Sequence, residues 1–334
     1  MQKYLRLSLN FLYKLGPFGA LLFVLALFAI IGIWNSHFLP SFFSVYNEKT
    51  ILTQTVIIGI GALGMTMVII SGGIDLSAGS QIALGTVVIA LILNGGGGAE
   101  GSFFLPLLAA IGGILSCAVV GWIGGFVSAR FRIVPFIVTL GTMQIARGVA
   151  KWVAGEQTVP TEANWLQSLM LVDPEPGWLI FAPGIWITLL LLGVLYVVLK
   201  YTVLGRHIFA IGSNEQTARL CGINVEWKRI LIYTLCGLFT GVAAVMQYSN
   251  LTIGDPTAAA GMELDIIAAV VIGGGSLSGG EGSAVGSVAG ALMIAILRNG
   301  CNILGVPTYV QEIIIGLIIV GAVLVDNIRH RKSE

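Results

Sequence analysis

Charge is scarce in this chain. Lys, Arg, Asp and Glu make up 10% of its 334 residues, where a soluble domain carries roughly 25%. Hydrophobic residues make up 56%, and mean hydropathy is +0.94. So little charge cannot cover a water-exposed surface, and the apolar stretches are long enough to cross a bilayer. A net charge of +1 gives no reason to expect a nucleic-acid partner. Cysteine is sparse too. Cys117, Cys221, Cys236 and Cys301 show no CxxC pair and no metal-ligand spacing, and read as small apolar fillers. The nucleotide loop GxxxxGK[ST], the zinc motif HExxH, the elbow GxSxG and any Cys/His cluster are missing. "GGGSLSGGEGS" (273–283) is rich in glycine but has no lysine and lies between apolar stretches. His37, His207 and His330 fall in flanking or loop positions. Catalysis, a metal and a resident cofactor therefore have no visible home, and this chain is not read as an enzyme.

What is present is a series of apolar runs near the ~20 residues that a spanning helix needs. They cover 17–36, 50–71, 76–94, 103–129, 134–153, 178–200, 229–249, a short 264–275, 283–298 and 308–326. Backbone groups in lipid must be satisfied within the segment, so these read as helices. The expectation is an all-α polytopic membrane protein with about ten transmembrane helices. It forms a single transmembrane unit over 1–334, with a cytoplasmic loop at 201–228 and an external loop at 154–177. The basic start, with Lys3, Arg6 and Lys14 before a long run, reads as a retained first span rather than a signal peptide. Positive charge orients the bundle. An inside N-terminus places Lys3, Arg6, Lys14, Arg130, Arg132, Lys200, Arg206, Arg219, Lys228, Arg229, Arg329, Arg331 and Lys332 in the cytoplasm. That is thirteen of the 17 basic residues. The 154–177 loop holds Glu156, Glu162, Asp173 and Glu175 with no Lys or Arg. Both termini come out cytoplasmic.

Two segments break the apolar pattern. In "VIISGGIDLSAGS" (68–80), Gly72 and Gly73 permit a sharp turn, and Asp75 stands amid apolar residues. A charge at the bilayer centre costs at least ~2.5–3.5 kcal/mol, so Asp75 is expected to face protein. It can act as N-cap of a re-entering helix, with Ser77 close behind. The same broken element can line a cavity and move, and the two roles are compatible. Laying the chain over itself with a 201-residue shift brings Gly72, Gly73, Leu76 and Ser77 onto Gly273, Gly274, Leu277 and Ser278. This is either a coincidence of two Gly/Ala-rich segments or a duplicated broken element, with Gly273, Gly274 and Gly275 as its second hinge.

The 201–228 loop carries a further signal. Ser213 and Gln216 form a capping box, 214–221 reads as a short helix, and Gly222 supplies its stop. The helix is either a plain connector or a docking element for a cytoplasmic partner. Within the spans, Thr139, Gln144, Arg147, Gln247, Asn250, Asn299, Asn302, Gln311 and Glu312 are polar. Each can serve interhelical hydrogen bonding or line a path for a neutral, hydroxyl-rich solute. Arg147 is the most costly, with Glu312 as an ion partner to consider.

"GMTMVIISGGIDLSAGS" (64–80), "PFIVTLGTMQIARG" (135–148), "AIGSNEQTARLCGI" (210–223) and "ELDIIAAVVIGGGSLSGGEGS" (263–283) together resemble the permease subunits of bacterial sugar ABC importers, of the ribose/xylose/galactose type. The resemblance covers nearly the whole chain, with Glu281 as a departure. It implies a subunit of the cell inner membrane that pairs with an identical or related permease chain around a central pathway. A cytoplasmic two-domain ATPase would hold ATP and magnesium, with no cofactor on this chain. An external binding protein would deliver a monosaccharide. The resemblance also assigns ATPase contact to Asn214, Glu215, Ala218, Arg219 and Gly222. The mechanism it implies is alternating access, driven through 205–229 into the two glycine breaks. An ion-gradient-coupled secondary transporter is the alternative, with Asp75, Arg147 and Glu312 as its thin material. A membrane enzyme or assembly scaffold is a further one.

Overall fold

The computed structural model describes residues 21–22, 24–26, 28–30, 38–96 and 103–330. The expected span 17–36 falls largely outside these residues. The fold is all-α and polytopic. Its helices are α1 (Phe38–Phe42), α2 (Val45–Ile70), α3 (Ala78–Gly95), α4 (Phe104–Phe131), α5 (Pro135–Val153), α6 (Pro183–Tyr201), α7 (Val203–Ser213), α8 (Glu215–Leu220), α9 (Val225–Leu251), α10 (Met262–Ile272), α11 (Ala284–Ile303) and α12 (Thr308–His330). Among the described residues, 6 helices are long and apolar enough to cross a membrane: α2, α3, α4, α6, α9 and α11.

Local chemistry sets the helix ends. Ser44 and Ser283 cap α2 and α11 by accepting the N–H groups of Asn47 and Gly286 at 3.2 and 3.0 Å. Pro135 and Pro183 open α5 and α6, where a missing N–H costs nothing. From Val56 onward helix α2 is apolar nearly all round, and 94% of its spanning window is buried, as expected for a helix at the centre of a bundle. It packs against α9, α11, α10 and α6. The tightest pair is α4 with α9. There Gly121 and Gly125 meet the backbone and Cβ of Tyr233 and Ile230, and Gly237 meets the backbone of Cys117, the small-residue packing that lets membrane helices approach closely. Leu108, Leu115 and Val119 on α4, and Leu190 and Val197 on α6, are exposed and form apolar outer faces.

Two loops carry structure beyond the sequence reading, and one expectation, the constant repeat, is corrected. The loop 201–228 holds two helices, α7 and α8, because Thr202 caps a first one by accepting the Gly205 N–H at 3.2 Å. The 154–177 loop contains a short strand, Val159–Pro160, and a 3-10 turn, Trp165–Met170. The strand pairs antiparallel with Ile253–Gly254, just after α9. The broken element does recur, but not at a constant shift of 201. Helices α2 and α10 end at Ile70 and Ile272, 202 residues apart, while α3 and α11 begin at Ala78 and Ala284, 206 apart. The second break is therefore four residues longer, and an ungapped alignment loses register across it.

Candidate functional site

Both breaks are built on the same helix stop. At the end of α2, Gly72 takes φ +79°; its N–H reaches the Ile69 carbonyl at 2.9 Å and the Gly73 N–H reaches Val68 at 3.0 Å. At the end of α10, Gly274 takes φ +90°; its N–H reaches Val271 at 3.0 Å and the Gly275 N–H reaches Val270 at 2.9 Å. These are paired Schellman bonds, which need a left-handed residue. The equivalent pairs are thus Gly72 with Gly274 and Gly73 with Gly275. Gly273 has an ordinary negative φ, and its contribution is close approach to the backbone of Gly286 and Ser287.

The two breaks touch. The Gly280 N–H donates to the Ile70 carbonyl at 2.8 Å. The end of α7 closes on this bond: a Cβ at Gly212 would strike both the Ile70 oxygen and the Gly280 nitrogen. Gly279 in turn lies against the backbone of Gly212 and Gly72. One glycine-lined junction therefore joins both breaks to the segment leading into α8.

Asp75 does not cap α3. The helix begins at Ala78, with Ser77 at the cap position making no side-chain cap bond. Asp75 lies two residues earlier, 1% exposed. Its carboxylate accepts the Ser77 N–H at 2.8 Å, the Ser77 hydroxyl at 2.5 Å and the Gln81 amide at 3.3 Å. This local turn satisfies the charge and holds the irregular segment 73–77 inside the bundle.

Helix α8 is set differently from the expected capping box. Ser213 ends α7, and Asn214 is the cap, accepting the Thr217 N–H at 2.9 Å. At the other end Gly222, φ +83°, and Ile223 close a Schellman pair onto Arg219 and Ala218. Ala218 is buried against Ile211 and Val225. Glu215 bonds Arg219 and Arg229 at 2.8 Å each. Leu220, 88% exposed, projects outward.

The expected path residues divide. Thr139 is buried and donates to the Ile74 or Phe136 carbonyl, both at 3.2 Å. Asn299 pairs both ways with Asn47, at 2.9 and 2.8 Å. Gln311 donates to Asn302 and to the Val306 carbonyl, and Gln247 is buried. Gln144, Asn250 and Glu312 are exposed. Arg147 does not meet Glu312. Its Nη1 donates to the carbonyls of Pro256 and Ala258 at 3.1 and 2.6 Å, and its neighbouring acids are Glu263 and Asp255. Glu312 lies instead near the Arg298–Asp265 pair, which closes at 2.6 Å. Sequence reasoning missed Asp255, Glu263 and Asp265. The signal was Asp255 within the turn "GDPTAAAG" (254–261) and Glu263 and Asp265 in the first turn of the short helix that follows.

The family described as "Branched-chain amino acid transport system / permease component" matches residues 49–323. The ribose import permease protein RbsC of Escherichia coli (strain K12) is 39% identical over 316 residues, 92% of each chain. RbsC of Bacillus subtilis (strain 168) is 38% identical over 322 residues, 94% of this chain and 92% of that one. The L-arabinose transport system permease protein AraH of Escherichia coli (strain K12) is 33% identical over 311 residues, 93% and 92% of the two chains. No solved structure matches.

Proposed function

The chain belongs to the branched-chain amino acid transport system / permease component family, and from that premise we propose that it is the membrane-spanning subunit of an ATP-driven monosaccharide importer. Relatives named as ribose and L-arabinose permeases support a sugar as cargo. ATP and magnesium belong to a separate cytoplasmic ATPase, and an external binding protein delivers the sugar to a homo- or heterodimer of permease chains. The subunit sits in the inner membrane with about ten spans and both termini in the cytoplasm. The basic residues Arg130, Arg132, Arg219, Lys228 and Arg229, all at or between the α4, α8 and α9 ends, support that orientation.

The single observation that carries the reading is α8. A helix of 6 residues is too short to hold itself. This one is capped at both ends, pinned by two arginines and set beside the junction of both breaks, while it turns Leu220 outward. That is how a contact for a moving partner is presented. ATP binding closes the partner, the displacement enters through α7–α8, and the breaks rearrange the inner gate. The gradient-coupled alternative has less behind it, since Asp75 is held by its own turn and Arg147 by backbone carbonyls.

The test is purification of the protein in detergent, with mass spectrometry of what accompanies it. A two-domain ATPase is expected with the wild type and is lost with Leu220→Asp. Recovery with both keeps the importer and moves the contact away from α8. No ATPase with either, together with uptake that stops when ion gradients collapse, replaces this reading with the secondary transporter.

A further inference from the structure

After α9 the chain does not leave the membrane region directly. Gly254 lies beside Thr86 and Ala90 of α3, the Thr86 hydroxyl donates to the Asp255 carbonyl and accepts from its N–H at 3.3 Å each, and Ala259 and Glu263 lie against Gly79. The segment 253–263 thus runs down α3 from Ala90 to Gly79, about 16 Å at 1.5 Å per residue. It is not helical over most of this length, yet Thr257, Ala260 and Gly261 are exposed. Irregular backbone at membrane depth is tolerated where it is buried in protein or lines a water-filled cavity. Exposure at these positions points to the cavity.

Side chains around this strap have unused hydrogen-bonding capacity. Glu263 is half-buried, with Oε2 packed against Gly79 and without a hydrogen-bond partner among the described residues. Among the described residues Arg147 donates through Nη1, and no ion pair joins it to Glu263 or Asp255. Gln144, three residues before Arg147 on α5, is exposed, and the surfaces of Gly141 and Gly148 are open. We propose that the strap 253–261, with Gln144, Arg147 and Glu263, lines the aqueous passage and forms a polar station for vicinal hydroxyls of the sugar in transit. This rests on the permease reading above. One sugar hydroxyl donates to the Glu263 carboxylate while its neighbour accepts from the Arg147 guanidinium, so both groups are completed without neutralising each other. Gly79 is required because the Glu263 carboxylate and the Ala259 carbonyl fill the space of a Cβ there.

The test uses the full chain with its partners in membranes, in a Cys221→Ser background. Gln144→Cys and Thr257→Cys are compared with Leu190→Cys on an apolar outer face. With a charged, membrane-impermeant thiol reagent, the first two are expected to react at least about tenfold faster, since only a hydrated thiolate reacts. Reaction no faster than Leu190→Cys overturns the passage. Glu263→Leu is expected to lower sugar uptake per assembled complex about tenfold, the loss of one charge-assisted bond, while ATP hydrolysis persists. Glu263→Gln, which keeps an accepting oxygen, is expected to restore much of it. Equal loss in both variants overturns the hydroxyl station. If the wild type moves no monosaccharide although Gln144→Cys and Thr257→Cys react, the passage stands and the sugar reading falls. If uptake is normal and they do not react, this inference alone falls.

Discussion

At the scale of single residues, most polar groups inside the apolar spans serve one another. Asn47 and Asn299 illustrate this. Each amide donates to the other, and both are buried between α2 and α11. Removing one partner leaves the other amide unsatisfied and is expected to cost about 1–3 kcal/mol, whereas replacing both by apolar groups of similar shape is close to neutral. Asn299→Leu should therefore lower the melting temperature in detergent, and Asn47→Leu with Asn299→Leu should recover part of the loss, since Asn47 also donates to the Phe42 carbonyl at 2.8 Å. A double variant worse than the single one would instead place Asn299 in a functional role. The sequence marks Asn299 as costly in a membrane, but its partner lies 252 positions away. No local pattern reaches that far, which is why path residues and helix glue look alike before the fold is known. Arg147 shows the same limit: its charge is conspicuous, while its backbone acceptors belong to a strap with no apolar signature.

At the scale of elements, helix ends were legible wherever they rest on local chemistry. Pro135 and Pro183 open their helices, and Gly222 closes α8. The start of α8 was displaced by one residue because Ser213 and Asn214 are both good caps, and α7 runs through Ser213 to leave Asn214 in extended conformation at φ −160°. What α8 leans on was not legible. Burial works against the Glu215 charge, but hydrogen bonds from Arg219 and Arg229 outweigh it and hold this carboxyl below its ordinary value. A carboxyl so lowered adds stability that is complete above its unfolded value, about 4.3. That stability is lost as pH falls through the folded value. The group is partly exposed, so the contribution is at most about 1 kcal/mol. Amide exchange across α8 should be slow at pH 7 and rise, after correction for intrinsic rates, once the pH is taken below the ordinary carboxylate value of about 4.3. Glu215→Gln should show the raised exchange already at pH 7, with little further change on acidification. Unchanged exchange in that variant would mean that Ala218 packing alone holds the helix.

At the scale of the whole molecule, the all-α polytopic character and the two glycine breaks were readable, because apolar length and glycine runs are one-dimensional signals. That the breaks meet each other and α7 was not, since the bond from Gly280 to Ile70 spans most of the chain. This junction decides how motion in the cytoplasm could reach the membrane. A Cβ at Gly212 would fall on the donor and acceptor of that bond, both backbone atoms that no side-chain rotation can move aside. Gly212→Ala must therefore push α7 away from the breaks. Gly222 has φ +83° and open space, so Gly222→Ala adds only local strain of about 1–2 kcal/mol. Both variants should still be recovered with the ATPase, because neither changes the outward face of α8. Uptake per recovered complex should fall at least about tenfold for Gly212→Ala, because packed contacts switch between discrete arrangements rather than flexing. Gly222→Ala should stay close to the wild type. If the two lose uptake equally, the strain at the end of α8 is what matters, and the junction is packing rather than linkage.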